Sequence, residues 1–231
     1  IIKARKSKVS DAVAPLILGV DVGREQDRTV IVPRRGRCVF PFTVFDPKIE
    51  GIVRQTTVAS RLARMIERQK VNKIFIDVAK GYGIIDILTA DGYGDIIRGV
   101  YFNEGAIEND KYANKRAEMH IVARDWIESE TVSIPDDDEL EVDIASIPDY
   151  KETMNGLIQM PPKKDIKKVL GRSPDLWDAF ILTFAYPVSS NIVNRGFKLK
   201  KVKGKSSFKT SRRLENSNSS NGISTNINIW G

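Results

Sequence analysis

The chain has 231 residues, 41% of them apolar and 29% charged, which fits one sizeable globular domain and not comfortably two. A single Cys (Cys38) and a single His (His120) exclude a disulfide framework and a Cys/His zinc site, so any chemistry must run on carboxylates, lysines or hydroxyls. The net charge of +7 belongs to the ends: residues 189–231 carry nine basic side chains against one acid, whereas 9–188 hold 24 basic and 29 acidic residues, which argues against a plain nucleic-acid-binding module.

Residues 1–15 read as a basic linker. The chain starts at Ile1, without the apolar stretch of a signal peptide, and this start is read as that of a fragment. The run Leu16-Ile17-Leu18-Gly19-Val20-Asp21 predicts a buried central strand. Residues 29–32 predict a second strand, Arg34-Arg35-Gly36-Arg37 a turn, and 38–45 a third strand, together an antiparallel meander. Val58, Leu62, Met65 and Ile66 then recur at helical spacing among Arg61, Arg64, Glu67 and Arg68. A short strand over 73–77 ends in Asp77. A helix over 83–90 and a fifth strand over 95–102 follow, and two helical crossovers imply parallel pairing of the later strands. A longer helix is expected over 113–128, a solvated acidic loop with a short helix over 131–150, and an edge strand over 156–160 stopped by Pro161-Pro162. The last element spans 173–186, with Ser173 able to cap it and Pro174 suited to its first position. The remainder, 189–231, is Lys-rich and then Ser/Asn-rich, and predicts a disordered basic tail. No apolar run approaches the roughly 20 residues of a membrane-spanning helix.

Four acids stand at element ends. Asp21 closes the first strand and Asp77 the fourth, while Asp175 and Asp178, three apart, share one face in the first turns of the last helix. With the first and fourth strands adjacent, Asp21 and Asp77 would enter one pocket. Carboxylates packed so closely repel unless a divalent cation neutralises them, and oxygen ligands without His or Cys point to Mg²⁺ or Mn²⁺. Taken singly, each acid has a plainer account: a turn residue at Asp21, or a helix N-terminal acid at Asp175. A P-loop ATPase is excluded, because Gly204-Lys205-Ser206 has Leu199 where the first glycine belongs.

The strings Leu18-Gly19-Val20-Asp21-Val22-Gly23 with Asp27-Arg28-Thr29, Phe75-Ile76-Asp77 with Gly81 and Gly83, and Gly171-Arg172-Ser173-Pro174-Asp175-Leu176-Trp177-Asp178-Ala179 resemble the nuclease domain of tailed-phage large terminase subunits. The resemblance covers about residues 16–187. It implies an α/β fold of the ribonuclease H-like kind, a mixed sheet with a three-stranded antiparallel meander plus parallel strands and helices on both faces. The Asp-x-x-Asp pattern also resembles Holliday-junction resolvases, and which of Asp175 and Asp178 is the direct ligand stays open. Terminase relatives often carry a His or Asp just before the aligned acid, where this chain has Ser173-Pro174.

By that resemblance the chain is the C-terminal half of a protein whose N-terminal packaging ATPase is missing. It would cut concatemeric double-stranded viral DNA by a two-metal mechanism in the host cytoplasm, at the procapsid portal, with the portal and the small terminase subunit as partners. Asp21 would bridge both ions, and Asp77 with Asp175/Asp178 would complete them. Lys80, Lys163, Lys164 and Arg172, with Lys167 and Lys168, are candidates for DNA backbone contact or for a merely solvated face. Two alternatives are an actin/hexokinase-like phosphotransferase, which shares the Asp-x-Gly strand turn, and a non-catalytic DNA tether acting through the basic tail.

Overall fold

A computed structural model describes residues 1–23, 27–129 and 131–189. Beyond Ser189, the stretch expected to be a basic tail lies outside the described residues. In chain order the elements are α1 (Ile2–Lys6), β1 (Leu16–Asp21), β2 (Thr29–Arg35), β3 (Cys38–Val39), β4 (Thr43–Phe45), α2 (Pro47–Glu50) and α3 (Gln55–Gln69). They continue with β5 (Lys73–Asp77), α4 (Val78–Leu88), β6 (Ile97–Val100), α5 (Lys115–Glu128), α6 (Asp138–Ala145), β7 (Lys151–Glu152), β8 (Ile158–Gln159), α7 (Lys163–Leu170) and α8 (Asp175–Leu182).

The main sheet runs β3-β2-β1-β5-β6, with β4 also on β2. β1 pairs antiparallel with β2 and parallel with β5, and β5 pairs parallel with β6. This is the expected ribonuclease H-like arrangement, a meander followed by parallel strands. Its third strand differs: 38–45 is not one strand but two short ones, β3 and β4, both laid against β2. Pro41 falls in the gap, where it cannot donate a ladder hydrogen bond.

Side chains alternate across the sheet and build two cores. On one face Leu16, Leu18 and Val20 of β1 join Ile74 and Ile76 of β5 under α3 and α4. On the other, Ile17 and Phe75 pack beneath α5 and α8 through Met119, Trp177 and Phe180. The same alternation puts Gly19 on the α8 face. A Cβ there would lie 2.1 Å from the Ala179 carbonyl oxygen, so this glycine lets the α8 backbone rest directly on β1.

Residues 1–15, expected as a basic linker, make contacts with the rest of the fold, and two further expectations need correction. Ala4 of α1 is buried, Arg5 pairs with Asp136 and Asp138 at 2.6 Å and also with Glu141, and Cys38 Sγ donates to the Val9 carbonyl at 2.7 Å. The 156–160 segment belongs to a separate two-stranded hairpin, β7–β8, and not to an edge of the main sheet. α4 starts five residues before the expected helix, because the Asp77 carboxylate accepts from the Ala79 amide at 3.0 Å and caps it.

Candidate metal centre

Strand parity aims the first two acids. Asp21 falls on the α8 face two residues after Gly19, and Asp77 falls on that face two after Phe75. Val20 and Ile76 are the last paired positions of the parallel β1–β5 ladder, so the two carboxylates leave from neighbouring strand ends. α8 supplies Asp175 and Asp178 from its first turn. Asp21, Asp175 and Asp178 are buried, and Asp77 is half-buried.

A lysine stands among them. Lys163, at the start of α7, forms an ion pair with the buried Asp178 Oδ2. Burial raises the Asp21 carboxyl well above its ordinary range, and Asp178, Asp175 and Asp77 push the same way against the opposing charge of Lys163. Burial also raises Asp77, against the Ala79 amide, Lys163 and Lys80, and it raises Asp175 against Arg28 and Lys163. Burial opposes the charge on Lys163 itself, but Asp178 and Asp21 outweigh it and hold the ammonium above its usual range. Four acids therefore share a poorly solvated space, opposed by Lys163, Arg28 and Lys80.

The chemistry of this donor set fits a hard divalent cation: oxygen ligands only, from four carboxylates of which three are buried. As the side chains stand, no three Asp, Glu, His or Cys among the described residues converge closely enough to hold an ion. Each acid is engaged elsewhere, Asp178 by Lys163, Asp175 by Arg28 Nε at 3.3 Å, and Asp77 by the Ala79 amide. Binding a cation would exchange these contacts for metal–oxygen bonds.

The remaining sequence candidates divide. Lys163 is at the acids. Lys80 pairs with Asp27 at 2.9 Å, and Arg172 pairs with Asp143 at 2.6 Å and Glu139 at 3.0 Å. Lys164, Lys167 and Lys168 lie exposed on α7, a helix that sequence reading did not foresee. His120 is structural: its Nδ1 accepts from the Trp177 indole N–H at 2.9 Å, and burial, with Arg116 and Lys163 nearby, keeps the ring neutral. Sequence reading also missed Arg28, Glu139 and Asp143. One signal was available. Asp143 falls with Leu140, Ile144 and Ile147 at helical spacing, an acid inside an apolar stripe.

No protein-family model matches the sequence, and no curated protein matches it. Solved structures do. A manganese-bound variant of the nuclease domain of the large terminase subunit gp2 of bacterial virus Sf6 aligns over 80% of this chain and 94% of its own, at a TM-score of 0.62 and 17% identity. The large terminase nuclease of thermophilic phage G20c with bound magnesium aligns over 78% and 84%, at a TM-score of 0.52 and 14% identity. The chain shares the fold of these nuclease domains.

Proposed function

We propose that this chain is a divalent-metal-dependent endodeoxyribonuclease domain of a phage genome-packaging terminase. The observation that carries the reading is the gathering of Asp21, Asp77, Asp175 and Asp178, from three separated elements, around one lysine. Asp77 caps α4 and Asp175 and Asp178 have cationic partners, but none of these roles explains why four acids share one poorly solvated space. Support comes from the fold, which solved terminase nucleases share, two of them holding manganese or magnesium.

Asp21, Asp77, Asp175 and Asp178 would hold Mg²⁺ or Mn²⁺. When bound, a pair of such ions supplies an activated water and neutralises the leaving oxygen of a phosphodiester. The protein does the rest. Asp21 and Asp77, on adjacent rigid strands, fix one side of the site, and α8 brings the other two acids to it. Lys163 supplies positive charge beside the reacting phosphate. The exposed α7 lysines at 164, 167 and 168 track the DNA backbone. In the assembled motor the partners would be double-stranded DNA, the portal and a small terminase subunit, met at the procapsid in the host cytoplasm. None of the helices among the described residues is long and apolar enough to cross a membrane.

Supercoiled plasmid incubated with the protein tests this. Nicked and linear products should form with Mg²⁺ or Mn²⁺ and vanish with EDTA. Metal-independent products would overturn the metal-dependent mechanism, and ATP binding by calorimetry with no cleavage would overturn the reading in favour of the phosphotransferase alternative. The α7 lysines have their own signature. Replacing Lys164, Lys167 and Lys168 together by Ala should reduce the log–log salt slope of DNA binding by about 2–3, at ~0.9 for each phosphate no longer neutralised. An unchanged slope would return them to a solvated face.

A further inference from the structure

α8 has no cap of its own. Pro174 occupies its N-cap position, and no side chain of the flanking residues caps the helix. The first amides of a helix still need acceptors. Those of Leu176 and Trp177 find one across the fold, where Asp143 Oδ2 accepts from both, at 3.1 and 3.3 Å. Asp143 comes from α6 and is fully buried.

A circuit of charges continues from it. Asp143 Oδ1 lies 2.6 Å from Arg172 Nη1 as an ion pair, and Arg172 Nη2 lies 3.0 Å from Glu139 Oε1. Glu139, one turn earlier on α6, also takes both terminal nitrogens of Arg28, at 2.7 and 2.9 Å. The Nε of that same guanidinium reaches Asp175 Oδ2 at 3.3 Å. The short, forked contacts go to Glu139 and the long one to Asp175, so Glu139 holds most of the Arg28 charge away from a candidate ligand.

We infer that Asp143, supported by Glu139, is a positioning residue for the acid site: a cap supplied in trans that sets the placement of the α8 first turn, and with it Asp175 and Asp178, against Asp21 and Asp77. This rests on the function proposed above. Both Asp143 oxygens are already engaged, so it acts through α8 and not as a ligand. Packing of Phe180, Ile181 and Leu182 secures the body of the helix regardless, and Leu176 and Trp177 seat one face of its first turn. What the cap governs is the first turn, where both acids sit. The acidic 131–150 stretch, expected as a solvated loop, thus contains the support for the site.

The test compares wild type with Asp143→Leu, Asp143→Asn and Glu139→Gln by Mn²⁺ calorimetry, thermal melts in EDTA and plasmid cleavage across Mn²⁺ concentrations. Asp143→Leu removes the acceptor. It should weaken Mn²⁺ binding about tenfold or more and raise the metal needed for half-maximal cleavage by the same factor, with the rate at saturating Mn²⁺ near wild type. Asp143→Asn keeps an oxygen for the two amides and should retain affinity within about threefold. Glu139→Gln releases Arg28 onto Asp175 and should weaken binding several-fold. It lies at the half-exposed rim, so it carries the test should the Leu variant not fold. Unchanged Mn²⁺ affinity in folded Asp143→Leu, or in Glu139→Gln if the Leu variant does not fold, overturns the inference. So does an Asn variant as weak as the Leu variant, because charge and not capping would then be at work. A wild type that neither binds Mn²⁺ nor cleaves overturns the underlying function first, before any variant is compared.

Discussion

Asp21→Asn should abolish metal-dependent cleavage, with a loss on the order of 10³-fold or more, while the metal-free protein melts no lower than wild type. The two halves of this expectation have one cause. Asp21 is buried, and its carboxyl is pushed up first by that burial and then by Asp178, Asp175 and Asp77. A carboxyl raised above its unfolded value adds stability that is fully present below the unfolded pKa and is lost as pH rises through the folded one. At neutral pH and above, its ionised form is therefore a burden on the metal-free fold. The amide has the same shape and no charge. Its advantage should be absent in acid, below about pH 4 where the free carboxyl is neutral, and should grow as pH rises. Melts from pH 4 to 8 in EDTA, beside plasmid assays in Mn²⁺, check both halves. An Asp21→Asn protein that unfolds at every pH would show the carboxylate to be structural.

Lys163→Met should act in the opposite sense on stability. Without the ammonium, Asp178 keeps a buried carboxylate faced only by the more distant charge of Arg116, and the neighbouring acids lose the charge that opposed their rise. Breaking a fully buried pair removes about 3–5 kcal/mol; the Lys163 side chain is 41% exposed, so about 2 kcal/mol is the reasonable scale. For a domain of this size that lowers the melting temperature by roughly 4–8 °C. The deficit should widen as pH rises above the ordinary carboxylate range, as the raised carboxyls of Asp21, Asp77 and Asp175 ionise. Mn²⁺ should then restore more stability in the variant than in wild type, because a cation bound only by the folded state replaces the missing charge. A variant that melts with wild type in EDTA at every pH would return Lys163 to the solvent.

The strand-borne half of the site is legible in the sequence because strand chemistry is local. A continuous apolar run ending in an acid marks β1 with Asp21 and β5 with Asp77, and the intervening helical period implies their parallel pairing. Asp175 and Asp178 are legible from helix spacing. What supports them is not. Asp143 and Leu176 are 33 positions apart and Arg5 and Asp136 are 131 apart, and no window along the chain brings such partners together. The long reach of Arg5 also explains why 1–15 resembles a linker: α1 has one buried side chain, Ala4, and its arginine ties it to the acids at α6. α7 is hidden for a related reason. Its apolar residues Ile166, Val169 and Leu170 do fall at i, i+3 and i+4, but eight residues between Pro161-Pro162 and Gly171 are about two turns, too short for that period to stand out from a lysine-rich loop. The split of 38–45 is written at Pro41, but the β-branched and aromatic residues on either side of it mask the break.

β1 is hydrogen-bonded on both edges, antiparallel to β2 and parallel to β5, and every one of its residues is buried. Its amide protons can meet solvent only when the whole sheet comes apart, whereas those of the exposed β7 strand need only a local opening. Asp21 therefore stands at the end of a strand whose amides should exchange only through global opening. A cation held there would slow deuterium uptake along β1 by the factor with which it shifts the global equilibrium, and would leave the β7–β8 hairpin unaltered. Exchange at a strand that touches the ion only through its last residue would in this way report occupancy of the entire site.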